Sequence, residues 1–108
     1  MDSRKATRLK TKGIEVILID GNTHFPAILL DVSNTGMSVK CTHVFPTFKE
    51  IGILLHVDHH KLEMRGSVRW VNEHVGRYKD KMKEIGISIP HPPADYLTFV
   101  SENIEDEE

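Results

Sequence analysis

The segment Ile51-Gly52-Ile53-Leu54-Leu55-His56-Val57, the break Asp58-His59-His60 and the resumption Leu62-Glu63-Met64-Arg65-Gly66-Ser67-Val68-Arg69-Trp70-Val71 decide the fold. Ile51, Ile53, Leu55 and Val57 recur at every second position, as do Leu62 and Met64, then Val68 and Trp70. In an extended chain alternate side chains share a face, so each run reads as a strand with one side in a core and the other in water. A helix would need apolar spacings of three and four. The polar tripeptide between the runs reads as a hairpin loop, which makes them antiparallel neighbours. Continuous alternation also assigns Trp70 to the core, with a contribution of its rim to a ligand site as the alternative.

Working outward, the same period appears in Ile85, Ile87 and Ile89 of the run Glu84 to Ile89, and earlier in Ile14 to Ile19, Phe25 to Val32 and Met37 to Cys41. Six strands result. Asp20-Gly21-Asn22 reads as a hairpin loop and Asn34-Thr35-Gly36 as a tight turn in which Gly36 can take a positive φ. Short connections between short strands indicate an all-β barrel or sandwich, and a barrel removes the edges that a small sheet must otherwise protect. The charged stretch Val75 to Lys83 lacks alternation and reads as a loop. Beyond Pro90, Pro92 and Pro93, one helix is predicted from Ala94 to Ile104, with Tyr96, Leu97, Val100 and Ile104 on one face and the barrel end beneath it.

Composition fits this reading. A chain of 108 residues, 39% hydrophobic and 28% charged, holds one core and is too apolar to stay disordered. A single cysteine, Cys41, excludes an internal disulfide, and its place in the run Met37, Val39, Cys41 implies a buried thiol in a reducing compartment. The start carries no apolar leader and no run suits a membrane span, so the expected location is cytoplasmic, without membrane association. The net charge of −2 conceals a gradient: Arg4, Lys5, Arg8, Lys10 and Lys12 crowd the start, and Glu102, Glu105, Asp106, Glu107 and Glu108 the end. The basic arm suits an anionic ligand, although such an arm also serves solubility alone.

Two short motifs carry chemistry. Arg4-Lys5-Ala6-Thr7-Arg8 is R-x-x-x-R, and its two planar five-donor forks match phosphate oxygens or the O6/N7 edge of guanine. Asp31-Val32-Ser33-Asn34-Thr35-Gly36 is D-x-S-x-x-G. Its carboxylate can accept from guanine N1 and N2, its hydroxyl can meet a further polar edge, and Gly36 keeps side chains out of the way. Taken alone, the second motif is an ordinary turn. The order matters: a basic arm before strand one, then an Asp/Ser/Gly turn between strands two and three.

In that order the chain resembles the PilZ family, which carries R-x-x-x-R before the first strand and D/N-x-S-x-x-G at the end of the second. Gly66-Ser67-Val68-Arg69-Trp70 is similar to the family's G-x-V-x-W strand, and Glu84-Ile85-Gly86-Ile87-Ser88-Ile89 to its closing G-I-x-F strand. Ile89 departs from the aromatic commoner there, a change that affects the core more than a ligand. The resemblance implies a six-stranded antiparallel β-barrel over residues 14–90, a flexible basic arm over 1–13, and a helix with an acidic tail over 91–108. It implies cyclic di-GMP as ligand, held by Arg4, Arg8, Asp31, Ser33 and Gly36, with the arm closing on binding. It also implies a receptor or adaptor that signals to a partner protein, with no catalysis, no cofactor, and no DNA or RNA as partner.

Rival readings have less support. His56, Asp58, His59 and His60 are metal-ligand types, but adjacent histidines in a hairpin turn seldom point at one centre, so no metal is expected. No G-x-S-x-G elbow surrounds Ser33, and no phosphate-cradling G-x-x-x-x-G-K-S/T loop or G-x-G-x-x-G is present, which disfavours an enzyme. A small barrel binding single-stranded nucleic acid through its arm is one alternative, opposed by the negative net charge and the 6% aromatic content. A PilZ-like adaptor that works without ligand is the other.

Overall fold

The strand runs close on themselves. In the computed structural model, which describes residues 14–72 and 82–103, β1 (Glu15–Asp20), β2 (Thr23–Ser33), β3 (Gly36–Cys41), β4 (Glu50–Val57), β5 (His60–Asn72) and β6 (Lys83–Ser88) precede one helix, α1 (Ala94–Asn103). The strands form a closed barrel in the order β1-β2-β3-β6-β5-β4, every neighbour antiparallel. The seam is the β1–β4 pairing, with Val16 opposite Leu55 and Leu18 opposite Ile53. That pairing settles barrel against sandwich. Three hairpins are tight: Asp20 pairs with Thr23, Ser33 with Gly36, and Val57 with His60, so His60 opens β5 instead of lying in the loop.

Alternation delivers the core as expected. Val16, Leu18, Val39, Leu55, Val68 and Ile85 are wholly buried, each contributing roughly 1.5–3 kcal/mol of transfer free energy. Truncating one of the larger residues, as in Leu55→Ala, is expected to cost about 2–5 kcal/mol, a large share of the ~5–15 kcal/mol that holds a domain together. At one barrel end Phe25 stacks on His43 with ring centroids 4.0 Å apart, and buried Phe45 meets both edge-on.

The assignment of Trp70 to the core is corrected. Between Val68 and Trp70 the register against β6 slips, so Arg69 and Trp70 together oppose Gly86. A bulge of this kind inserts one residue and inverts the parity of everything after it. Val68 therefore points inward and Trp70 outward, 46% exposed, while Val71 resumes packing against the core. An equivalent slip between Leu29 and Asp31 places Leu30 and Asp31 together opposite Ser38. Since Ser38 pairs directly with Gly86, the two bulges face each other across the wall along one cross-strand row.

The helix caps the end where β2 meets β3 and β4 meets β5. The Pro93 carbonyl accepts from the N–H groups of Tyr96 and Leu97, closing the first turn, and Asp95 complements the helix dipole there. The buried stripe is Tyr96, Phe99 and Val100, a spacing of three and four. Leu97, expected on that face, is instead 37% exposed, because it lies about 100° round the helix from Tyr96. Ile104 lies outside the described residues, as do residues 73–81, most of the expected loop between strands five and six. No helix among the described residues is long and apolar enough to cross a membrane.

Candidate functional site

The two aligned bulges build a groove on the outer wall of the barrel. Asp31, Ser33, Thr35, Gly36, Ser38, Arg69, Trp70, Gly86 and Ser88 line it, and its volume is about 750 Å³. Three of the five residues expected in the site, Asp31, Ser33 and Gly36, are thus brought together. The other two, Arg4 and Arg8, lie outside the described residues, as does the arm over 1–13.

Asp31 is aimed by its bulge and fixed by a neighbour. The hydroxyl of Ser38, 7% exposed, donates to Asp31 Oδ1 at 2.6 Å. This charge-assisted bond occupies one carboxylate oxygen and holds the other in register. Ser33 closes the turn that follows: Thr35 N–H donates to Ser33 Oγ at 3.3 Å, a local side-chain-to-backbone bond of the kind turns favour. The Thr35 carbonyl in turn accepts from Ile89 N–H at 2.8 Å, which ties the turn to the chain leaving β6.

Gly36 is needed for a reason other than the one expected. A left-handed φ among the described glycines falls at Gly21 and not at Gly36. A Cβ on Gly36 would instead run into the carbonyl oxygen of Ile87 on β6, and backbone cannot move aside as a flexible side chain can. Gly36 therefore lets the motif turn lie flush on β6. Gly86 plays the matching part on the row that joins the two bulges, where a Cβ would collide with the indole of Trp70. The ring lies down on the glycine and remains 46% exposed, leaving apolar surface for a ligand.

Tyr96 joins this site to the helix. Its hydroxyl lies 2.6 Å from the Gly36 carbonyl oxygen and 3.0 Å from that of Ser33, so its one proton is shared between both ends of the motif turn. The side chain is wholly buried, and burial pushes its phenol well above the ordinary tyrosine range, keeping it a donor.

Ser38 and Arg69 escaped sequence reasoning, and Trp70 was placed in the core with its rim as the alternative contact. The signal was present as two breaks of parity, since Leu29 is followed by Val32 and Val68 by Val71 as inward residues, each with an odd spacing that a bulge requires. A second depression lies between α1 and the β4–β5 hairpin, lined among others by His56, Asp58, His60, Asp95 and Glu102. It contains none of the motif residues. Among the described residues no three His, Cys, Asp or Glu side chains converge as metal ligands.

A closed six-stranded barrel, capped by a helix and carrying an Asp/Ser groove on its outer wall, defines a class of small binding module. The sequence model of the PilZ domain matches residues 2–101, and the chain belongs to that family. Its members are binding and adaptor modules of the cyclic di-GMP-binding type. Among solved structures, the Bacillus subtilis inhibitor of motility MotI/DgrA is similar, with a TM-score of 0.69 at 11% identity. The match covers 94% of this chain and 49% of that one, so the chain spans about half the length of its structural neighbour. No curated protein matches the chain by sequence.

Proposed function

We propose that the chain is a cytoplasmic, non-catalytic receptor for cyclic di-GMP that passes ligand occupancy to a partner protein. The observation that carries this reading is the convergence of Asp31, Ser33 and Gly36 with Trp70 on one groove. Asp31, held by Ser38, accepts from the N1 and N2 donors of a guanine. Trp70 offers a flat apolar face to a base. Arg4 and Arg8 close over the ligand from the arm and supply the forks for phosphate and the guanine Hoogsteen edge. Through Tyr96 the occupied turn and the helix are coupled, which gives ligand binding a route to a distant surface.

Isothermal titration with cyclic di-GMP tests it. Saturable binding by wild type, weakened by about 1–3 kcal/mol in Arg4→Ala and in Arg8→Ala, is expected. A folded sample that takes up no ligand at tens of micromolar overturns the proposal.

A further inference from the structure

Arg69 shares the β5 bulge with Trp70 and lines the same groove, at the end opposite Asp31. Three strand spacings separate the two ends, roughly 14 Å at about 4.8 Å each. Among the described residues no carboxylate pairs with Arg69. Its guanidinium carbon instead sits over the ring of Phe48, 5.4 Å from the centroid.

Phe48 is the unusual partner. It is 68% exposed and holds φ at 72°, a left-handed conformation that bulky L-residues rarely adopt. An exposed ring gains little by burial, so core packing does not explain the strain. Two backbone bonds impose it: Phe48 N–H donates to the Val68 carbonyl at 2.6 Å, and Val68 N–H to the Lys49 carbonyl at 2.9 Å. They clip the segment before β4 onto β5 one residue ahead of Arg69, and the result is a ring placed against the guanidinium. A guanidinium held over a ring in this way keeps N–H donors for a ligand.

We propose that Arg69, positioned by Phe48, is a second guanine-reading residue: its fork donates to O6 and N7 of a guanine lying against Trp70, while Asp31 holds another at the far end of the row. The ~14 Å between the two strands leaves room for two bases along the row, and the Arg69 guanine is assigned either to the other half of the same cyclic dinucleotide or to a second molecule of it. The inference rests on the reading of the groove as a cyclic di-GMP site.

The test is calorimetric titration of wild type, Arg69→Ala, Arg69→Lys and Phe48→Asn with cyclic di-GMP and with cyclic di-AMP. Adenine presents a donor where guanine has O6, so Arg69 favours guanine in particular. Arg69→Ala is expected to lose about tenfold or more in affinity or to lose one bound molecule, and to discriminate less between the two dinucleotides. A fall in affinity at unchanged stoichiometry identifies the same molecule as the source, and a fall in stoichiometry identifies a second. Arg69→Lys, which keeps the charge but not the fork, should resemble Arg69→Ala. Phe48→Asn separates positioning from structure, because Asn tolerates a left-handed φ: its melting temperature should rise while its affinity falls. An Arg69→Ala protein with wild-type affinity, stoichiometry and discrimination overturns the inference and leaves the proposed function standing. Wild type that binds no cyclic di-GMP overturns both, and an unaltered affinity in Phe48→Asn overturns the positioning role.

Discussion

The hydroxyl of Tyr96 lies 2.6 Å from the carbonyl oxygen of Gly36, linking the helix to the last residue of the D-x-S-x-x-G motif across sixty positions of chain. The bond is buried, and so is the ring that makes it. Any shift of the motif turn is therefore felt by α1.

Tyr96→Phe keeps the ring and removes the shared proton. Leaving the two carbonyls short of a donor is expected to destabilise the fold by about 1–3 kcal/mol. Thermal unfolding should register this as a loss of roughly 4–8 °C per kcal/mol for a domain of this size. An unchanged melting temperature would remove the bond from the account of how helix and motif are joined.

In the proposed site Ser38 acts on the ligand through Asp31, whose Oδ1 it holds, and a double-mutant cycle isolates that dependence. Asp31→Ala is expected to lower cyclic di-GMP affinity by about 1–3 kcal/mol and Ser38→Ala by about 1 kcal/mol or less. In the Asp31→Ala background the second change should have no further effect. Independent, additive losses would show that Ser38 meets the ligand itself.

Trp70 is the single tryptophan of the chain, which makes its fluorescence a report on the groove. Ligand stacking on the exposed ring should change the emission saturably. Gly86→Ala should displace the indole from its bed, altering emission before any ligand is added and weakening binding. Emission that ignores both the ligand and Gly86→Ala would place the ring outside the site.

Two buried acids predict the alkaline limb of stability. Burial raises the Cys41 thiol and the Tyr96 phenol above their ordinary values. Both groups thus keep their protons in the fold at a pH where the unfolded chain has released them. Their contribution is complete below the unfolded values, about 8.5 for Cys and 10 for Tyr, and is lost as pH climbs from there toward the folded ones. Denaturation midpoints should fall above about pH 9, and Cys41→Ala should flatten the first part of that fall. A midpoint constant to pH 11 would contradict the burial of both groups.

Strand number and most of the core were legible because period two is a local property of the chain: Ile51, Ile53 and Leu55 reveal their shared face without reference to any other strand. Trp70 was not, because its side depends on a register slip against β6, which is a pairwise property. Leu97 and Phe99 exchanged roles for a similar reason, since the barrel end selects which stripe of an amphipathic helix it covers. Within the groove, the meeting of Asp31, Ser33 and Gly36 was readable from motif order. The requirement at Gly36 was not, because it comes from the Ile87 carbonyl of a strand fifty residues away.

Because β1 zips onto β4, each strand already has hydrogen-bonding neighbours on both flanks. Among the described residues a strand added from outside consequently meets no wholly unpaired strand, only staggered stretches such as the first part of β5, which pairs with β4 but not with β6. The partner of the proposed function therefore meets the chain mainly through side chains, and those around the groove mouth are the ones that the proposed ligand would cover.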